Sequence, residues 1–193
     1  GINLTSQGRF DEAYLNLKKA LELDPDNHVI LLNFSVPTIE LSKYQEAETA
    51  NKRGLSVNPG YYNNWDMLYV GYNRQGDRGK DINDIVNQIE PVFNKNRDIY
   101  RILVHYYKDK DVEKFNKYLA ELKSYDIETK SSYFIDYRIL DGDFSNFMDQ
   151  AERAFENKKL QYGFSVGSTS YYLDAYKDEP RYKALVRKFR AGR

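Results

Sequence analysis

Residue types that could carry out catalysis or bind a metal are sparse in this chain. Its 193 residues include two histidines, His28 and His105, and no cysteine. Zinc sites and histidine-based catalytic sites need several such groups at short spacing, and neither histidine has a second one nearby. The lack of cysteine also excludes disulfides and a thiolate nucleophile. The sequence therefore predicts no metal, no cofactor and no enzymatic activity.

Three short segments look like ligand-binding loops but are incomplete. Residues 163–168 combine glycines with hydroxyl side chains, but the lysine of a phosphate-binding loop is absent. Asp77-Arg78-Gly79 and Asp141-Gly142-Asp143 begin like calcium loops, yet the remaining oxygen ligands do not follow. We interpret the first segment as a flexible connector and the other two as turns between helices.

The charge balance of the chain excludes several classes of partner. Lysine plus arginine and aspartate plus glutamate each number 29, so the formal net charge is zero. No long-range field then attracts nucleic acid or an anionic membrane. The apolar runs are too short to span a bilayer, so no membrane insertion is expected from this segment. We expect a cytoplasmic protein, although a periplasmic one also fits a chain without cysteine.

The elements that would position any site are indicated by an internal repeat. Like residues recur 34 positions apart, as Ala13 and Ala47, Leu21 and Leu55, and Pro25 and Pro59. The alanines allow two helices to approach closely, and the leucines belong to a buried stripe. The prolines lack an amide donor and end their helices. The pattern predicts paired helices stacked side by side.

This period and these residues resemble the tetratricopeptide repeat, a unit of two antiparallel helices closed by a proline. The resemblance implies an all-α fold, a right-handed solenoid of about five helical hairpins with a C-terminal capping helix. It is close over residues 1–61, partial over 62–96 and degenerate over 97–159. Residues 160–193 are predicted to form a loop and the capping helix.

The third hairpin departs from the pattern in its second helix. Trp65, Leu68 and Tyr72 occupy the positions of the large residues in the first helix of a repeat. Asp81 then stands where the small alanine should be, so we expect that second helix to pack differently. In the second hairpin, Pro37 lies inside a predicted helix and is expected to kink or interrupt it.

The later hairpins are predicted from helical spacing alone. The fourth has its first helix before the turn 109–111 and its second after it, marked by Ile99, Leu103, Tyr106, Tyr107, Phe115, Tyr118, Leu119 and Leu122. The fifth is marked by Tyr133, Phe134, Tyr137, Leu140, Phe147, Ala151, Ala154 and Phe155. The capping helix carries the apolar stripe Tyr182, Leu185, Val186 and Phe189.

The resemblance also implies a function, which is to bind a protein or peptide on the concave face lined by first helices. We call this set the inner face: Val29, Leu32, Asn33, Val36, Ile39, Asn63, Asp66, Met67, Val70, Asn73 and Arg74. One variety of the family grips the terminal carboxylate of a peptide with lysine, asparagine and arginine at five set positions. Four of these positions can be checked here, and they carry Ile2, Asn33, Asn63 and Met67. Only Asn33 is the residue that its position requires, so a carboxylate clamp is rejected. An amphipathic helix is one candidate occupant of the apolar part.

Two alternatives remain open for this surface and for the function. By repeat phase, Gly1 falls on the eighth position of a unit, so we expect a preceding segment of the same chain that could cover the inner face. The C-terminal part is similar to the tail of tetratricopeptide regions in bacterial sensory and regulatory proteins, which favours a regulatory scaffold. A small-ligand sensor built from the loop 162–172 and nearby aromatic residues is the second hypothesis.

Overall fold

A computed structural model describes residues 1–91, 96–129, 143–156 and 174–191 of the chain. The regular structure in these ranges is helical throughout. Contacts divide the chain into two compact units, residues 1–94 and residues 95–193.

The first unit is a stack of helices in chain order. Each helix packs on the next one, and α3 also packs on α5, as in stacked hairpins. This arrangement confirms the predicted all-α, helical-hairpin solenoid class. The helices are α1 (Ile2–Ser6), α2 (Phe10–Leu23), α3 (His28–Glu40), α4 (Tyr44–Val57), α5 (Asn63–Gln75) and α6 (Gly79–Ile89).

The repeated alanines and prolines serve the roles that their spacing predicts, whereas the repeated Leu21 and Leu55 are only partly buried. Ala13 and Ala47 are buried, at 0% and 2% exposure, where neighbouring helices approach. Helices α2 and α4 end at Leu23 and Val57, each two residues before a repeated proline. Between the helices lies a core cluster of Leu17, Leu31, Phe34 and Ala50, against which Tyr14, Leu21 and Ile30 pack.

Helix α3 begins at a side-chain cap and continues through its proline. The Oδ1 atom of Asn27 accepts hydrogen bonds from the amides of Val29 and Ile30, at 3.1 and 3.2 Å. Pro37 lies within α3, which runs on to Glu40, so of the expected kink or interruption the interruption is wrong, and the kink stays a prediction. Pro37 has no amide to donate to the Asn33 carbonyl, so α3 lacks one hydrogen bond there.

Helix α6 differs from the second helices of the earlier hairpins. Gly76 ends α5 in the left-handed region, with φ +80°, which glycine adopts without strain. The α6 residues Ile85, Val86 and Ile89 are buried. The Asp81 side chain, by contrast, is 39% exposed and bound to Arg78, whereas the equivalent alanines are enclosed.

The second unit contains α7 (Arg97–Tyr107), α8 (Val112–Thr129), α9 (Phe144–Glu156), a 3-10 turn (Asp174–Tyr176) and α10 (Pro180–Ala191). Helix α7 packs on α8, as predicted for the fourth hairpin. Helices α9 and α10 share a core of Phe147, Met148, Ala151, Tyr182, Leu185 and Phe189. The predicted first helix of the fifth hairpin, with Tyr133, Phe134, Tyr137 and Leu140, lies outside the described residues, as does the loop 162–172.

Candidate functional site

The inner-face residues lie on two helices that contact each other. Val29, Leu32, Asn33, Val36 and Ile39 belong to α3, and the other six belong to α5. A Cβ atom built on Gly71 of α5 would lie 3.8 Å from Cδ1 of Ile39, so the two helices pack at ordinary van der Waals distance there.

Burial separates the inner-face residues into two groups. Five of them are 1–7% exposed, namely Val36, Ile39, Asp66, Met67 and Val70. These five contribute to the packing of this structure. Val29 is 42% exposed. The remaining residues, Leu32, Asn33, Asn63, Asn73 and Arg74, keep part of their surface accessible.

The accessible polar side chains are held in place from within the unit. The amide of Asn33 donates to the Val29 carbonyl at 2.7 Å, and the amide of Asn73 donates to the Tyr69 carbonyl at 2.8 Å. Both bonds leave Oδ1 of the asparagine able to accept a hydrogen bond. Arg74 pairs with Glu40 of α3 at 2.9 Å, across the contact between the two helices.

A second polar cluster, centred on Glu48 of α4, links that helix to α5 and to the turn before α6. Its carboxylate accepts from Lys52 Nζ at 2.7 Å, from the Tyr72 hydroxyl at 3.0 Å and from Arg78 Nη1 at 3.1 Å. The Arg78 Nε donates to Asp81 at 2.6 Å, and its guanidinium lies 4.3 Å from the centre of the Tyr72 ring. The Nε and Nη1 atoms of Arg78 and one face of its guanidinium are therefore engaged within the protein.

The Glu48 cluster perturbs the ionisation of its members. Burial opposes the charged form of Glu48, but the hydrogen bonds from Lys52, Arg78 and Tyr72 outweigh it and lower its pKa. Burial raises the pKa of Tyr72, and its bond to the Glu48 carboxylate raises it further. The cluster is thus a fixed arrangement of charges near neutral pH.

A cleft of about 320 Å³ adjoins this cluster, between α4, α5 and α6, and it was not foreseen as a site. The sequence marked Leu55, Trp65, Leu68 and Tyr72 of its lining as packing residues of the repeat, and Asp81 as the departure from its small residue, but none of these as part of a cleft. The lining consists of Lys52, Leu55, Trp65, Leu68, Tyr72, Asp81, Asp84, Ile85 and Gln88. We call it the α6 cleft.

The two histidines lie in unrelated surroundings. His28 contacts the Tyr61 ring edge to face, with ring centres 4.8 Å apart. Burial lowers the pKa of His105 to about 4, and the nearby Lys108 adds to this effect. Within the described ranges, no three histidine, aspartate or glutamate side chains are grouped to hold a metal ion. Among the described helices, none combines the length and apolarity needed to cross a membrane.

The comparisons with known proteins agree with this architecture. No protein-family model matches the chain. Over 80 residues the chain is 29% identical to the tetratricopeptide repeat-containing protein trd-1 of Caenorhabditis elegans. The match covers 42% of this chain and 10% of that protein, so the chain spans a small part of its relative's length. The similarity and the stacked hairpins together fit a tetratricopeptide-like helical protein.

Proposed function

We propose that this chain is a non-catalytic protein-binding module that serves as a scaffold in a larger bacterial regulatory protein. The observation that carries the proposal is the accessible part of the inner face. There Val29 and Leu32 of α3 expose apolar surface, and Asn63, Asn73 and Arg74 expose polar groups on α5, which contacts α3. A surface of this kind contributes to binding by burying apolar area, while its polar edge orients the partner.

The partner that fits this surface best is an amphipathic helix. Its apolar side would cover Val29 and Leu32, and its polar side would donate to the Oδ1 atoms of Asn33 and Asn73. Fully burying an exposed valine or leucine side chain contributes about 1.5–3 kcal/mol, so two partly exposed residues support only a modest affinity. The regulatory setting rests on the sequence resemblance, and the cytoplasmic location is the expectation from composition, with a periplasmic one as its alternative.

The burial of the other inner-face residues decides which variants can test this function. Val70 is 1% exposed, so Val70→Asp would place a charge in the core and would report on folding. Val29 on α3 and Val57 at the end of α4 form a better pair, because they are 42% and 44% exposed. They have the same side chain and nearly the same accessibility, but only Val29 lies on the inner face.

The test is photo-crosslinking from these two positions. With benzoylphenylalanine in place of Val29, we expect a discrete crosslinked partner that Leu32→Asp abolishes. The same probe in place of Val57 is expected to give no such product. A crosslink from Val29 to the chain's own preceding segment would assign the face to intramolecular packing. Equal products from both positions would contradict a specific inner-face site.

A further inference from the structure

The α6 cleft has a lining that is chemically unlike the inner face. Its apolar part comes from Leu55 of α4, Leu68 of α5 and Ile85 of α6. Trp65, which is half-buried, adds a flat aromatic surface. Charged side chains from α4 and α6 complete the lining, so an occupant would meet both an indole ring and carboxylates.

The charges in and beside the cleft do not balance. Lys52 is paired with Glu48 at 2.7 Å, and Arg78 is shared between Glu48 and Asp81. The carboxylate of Asp84 lines the cleft, is exposed, and has no ion pair with any described residue. Of the three carboxylates Glu48, Asp81 and Asp84, only that of Asp84 is therefore left without a paired cation. The cleft is therefore electrostatically complementary to a cation.

The protein already binds a guanidinium in this way a short distance away. Arg78 lies over the Tyr72 ring while its nitrogens donate to Glu48 and Asp81. One face of the Tyr72 ring is occupied by that contact, and Trp65 is the other aromatic side chain in the lining. Indole is the aromatic group that attracts cations most strongly, and planar guanidinium groups both stack on it and bind carboxylates.

The size of the cleft limits what can enter it. A volume of about 320 Å³ is at the lower end of ligand pockets, which span roughly 300–1,000 Å³. It suits one long side chain and is too small for a helix. We propose that the α6 cleft binds an arginine side chain of a partner protein, stacked on Trp65 and paired with Asp84. This inference rests on the proposed protein-binding function but uses a separate surface.

The single tryptophan of the chain makes this inference directly testable. The acetylated and amidated tripeptide Gly-Arg-Gly is titrated into the full chain while Trp65 fluorescence is recorded. The matched ligand carries citrulline, which has nearly the shape of arginine but no charge. We expect a saturable change with arginine, with a dissociation constant of about 1 mM, and a much weaker one with citrulline.

Two variants locate the binding site. Asp84→Asn should weaken arginine binding about two- to fivefold, the range for an exposed ion pair. Asp11→Asn makes the same charge change at an exposed position on α2 and should leave binding unchanged. In nitrogen-15 spectra, the Trp65 indole signal should shift when the arginine peptide is added.

Three outcomes would each overturn the inference. They are equal responses to the two peptides, an indole signal that does not shift, and equal effects of the two variants. None of these results depends on crosslinking from Val29, so the two proposals can fail separately.

Discussion

At the scale of single residues, Gly54 shows how closely α4 and α5 approach. A Cβ atom at this position would lie 2.8 Å from Nδ2 and 2.9 Å from Oδ1 of Asn64. Asn64 is fully buried, and neither of these atoms has a hydrogen-bond partner among the described residues. The glycine is therefore needed for space, although glycine disfavours a helix.

Gly54→Ala tests this close approach. We expect it to destabilise the first unit by about 1–2 kcal/mol, because overpacking outweighs the gain in helix propensity. Gly71→Ala is the matched control inside α5, where the new Cβ would meet Ile39 at an ordinary 3.8 Å. That control should stabilise by up to about 1 kcal/mol. The measurement is urea unfolding of both variants.

A double-mutant cycle tests whether Asn64 causes the destabilisation expected for Gly54→Ala. In an Asn64→Ala background the obstructing carboxamide is gone, so Gly54→Ala should become neutral or stabilising. The coupling energy between the two positions should then be about 1–2 kcal/mol. An unchanged cost of Gly54→Ala in that background would show that Asn64 is not the obstacle.

The partly buried His105 predicts a specific acid sensitivity. Burial disfavours the imidazolium and lowers its pKa to about 4 in the folded chain, below the ordinary value of 6.5. The contribution of the neutral ring to the free energy of unfolding is therefore fully present above pH ~6.5. It is lost as the pH falls toward 4, because the imidazole of the unfolded chain binds a proton at higher pH than that of the folded chain. Lys108, Lys110 and Arg101 lower the pKa as well, whereas Asp109 raises it.

His105→Gln should remove this part of the pH dependence. Between pH ~7.5 and ~4.5, we expect the wild type to lose up to about 2 kcal/mol more unfolding free energy than the variant. Proton NMR can follow the ring itself, because the chain has only two histidines. A ring that titrates near its ordinary pKa would contradict this account of its burial.

At the scale of elements, the helices and their pairing into hairpins were predicted, whereas the burial of single inner-face residues and the placement of α6 were not. The ends of α2 and α4 follow from Pro25 and Pro59, because proline acts on its immediate neighbours. The position of Val36 and Val70 in the repeat assigned both to the inner face. Repeat position carries no information about burial, and the structure shows that both side chains are buried. The α6 cleft depends on where α6 lies against α4 and α5, which no residue encodes by itself.

The pair formed by α9 and α10 makes a prediction at this scale. Leu185 of α10 is 3% exposed and contacts the core on α9. Leu185→Ala should therefore cost about 2–5 kcal/mol and should expose the amides of both helices together to hydrogen exchange. Leu23→Ala removes the same atoms from a side chain that is 88% exposed and should change stability by less than about 0.5 kcal/mol. Loss of protection in α10 alone would show that the two helices do not fold as one element.

At the scale of the whole molecule, the composition predicts a net charge of zero, whereas only the structure shows which charged side chains form ion pairs. Arg181 joins Glu152 and Asp149 at 2.7 and 2.5 Å, and the Glu48 cluster gathers four further charged groups. Pairing of this kind leaves little field at a distance beyond the Debye length of about 8 Å. A partner would then be recognised through contacts at close range.

The same balance predicts how the chain responds to pH. With two histidines and no cysteine, few groups titrate between pH ~6 and ~9, since tyrosine and lysine ionise near 10. Net charge should therefore stay close to zero across that range, around the sequence pI of about 7.0. Electrophoretic light scattering should find mobility near zero throughout it and clearly positive mobility below pH ~5, as carboxylates are protonated. A steep change in mobility near pH 7 would require titrating groups beyond these, and it would reopen electrostatic attraction as a route to the partner.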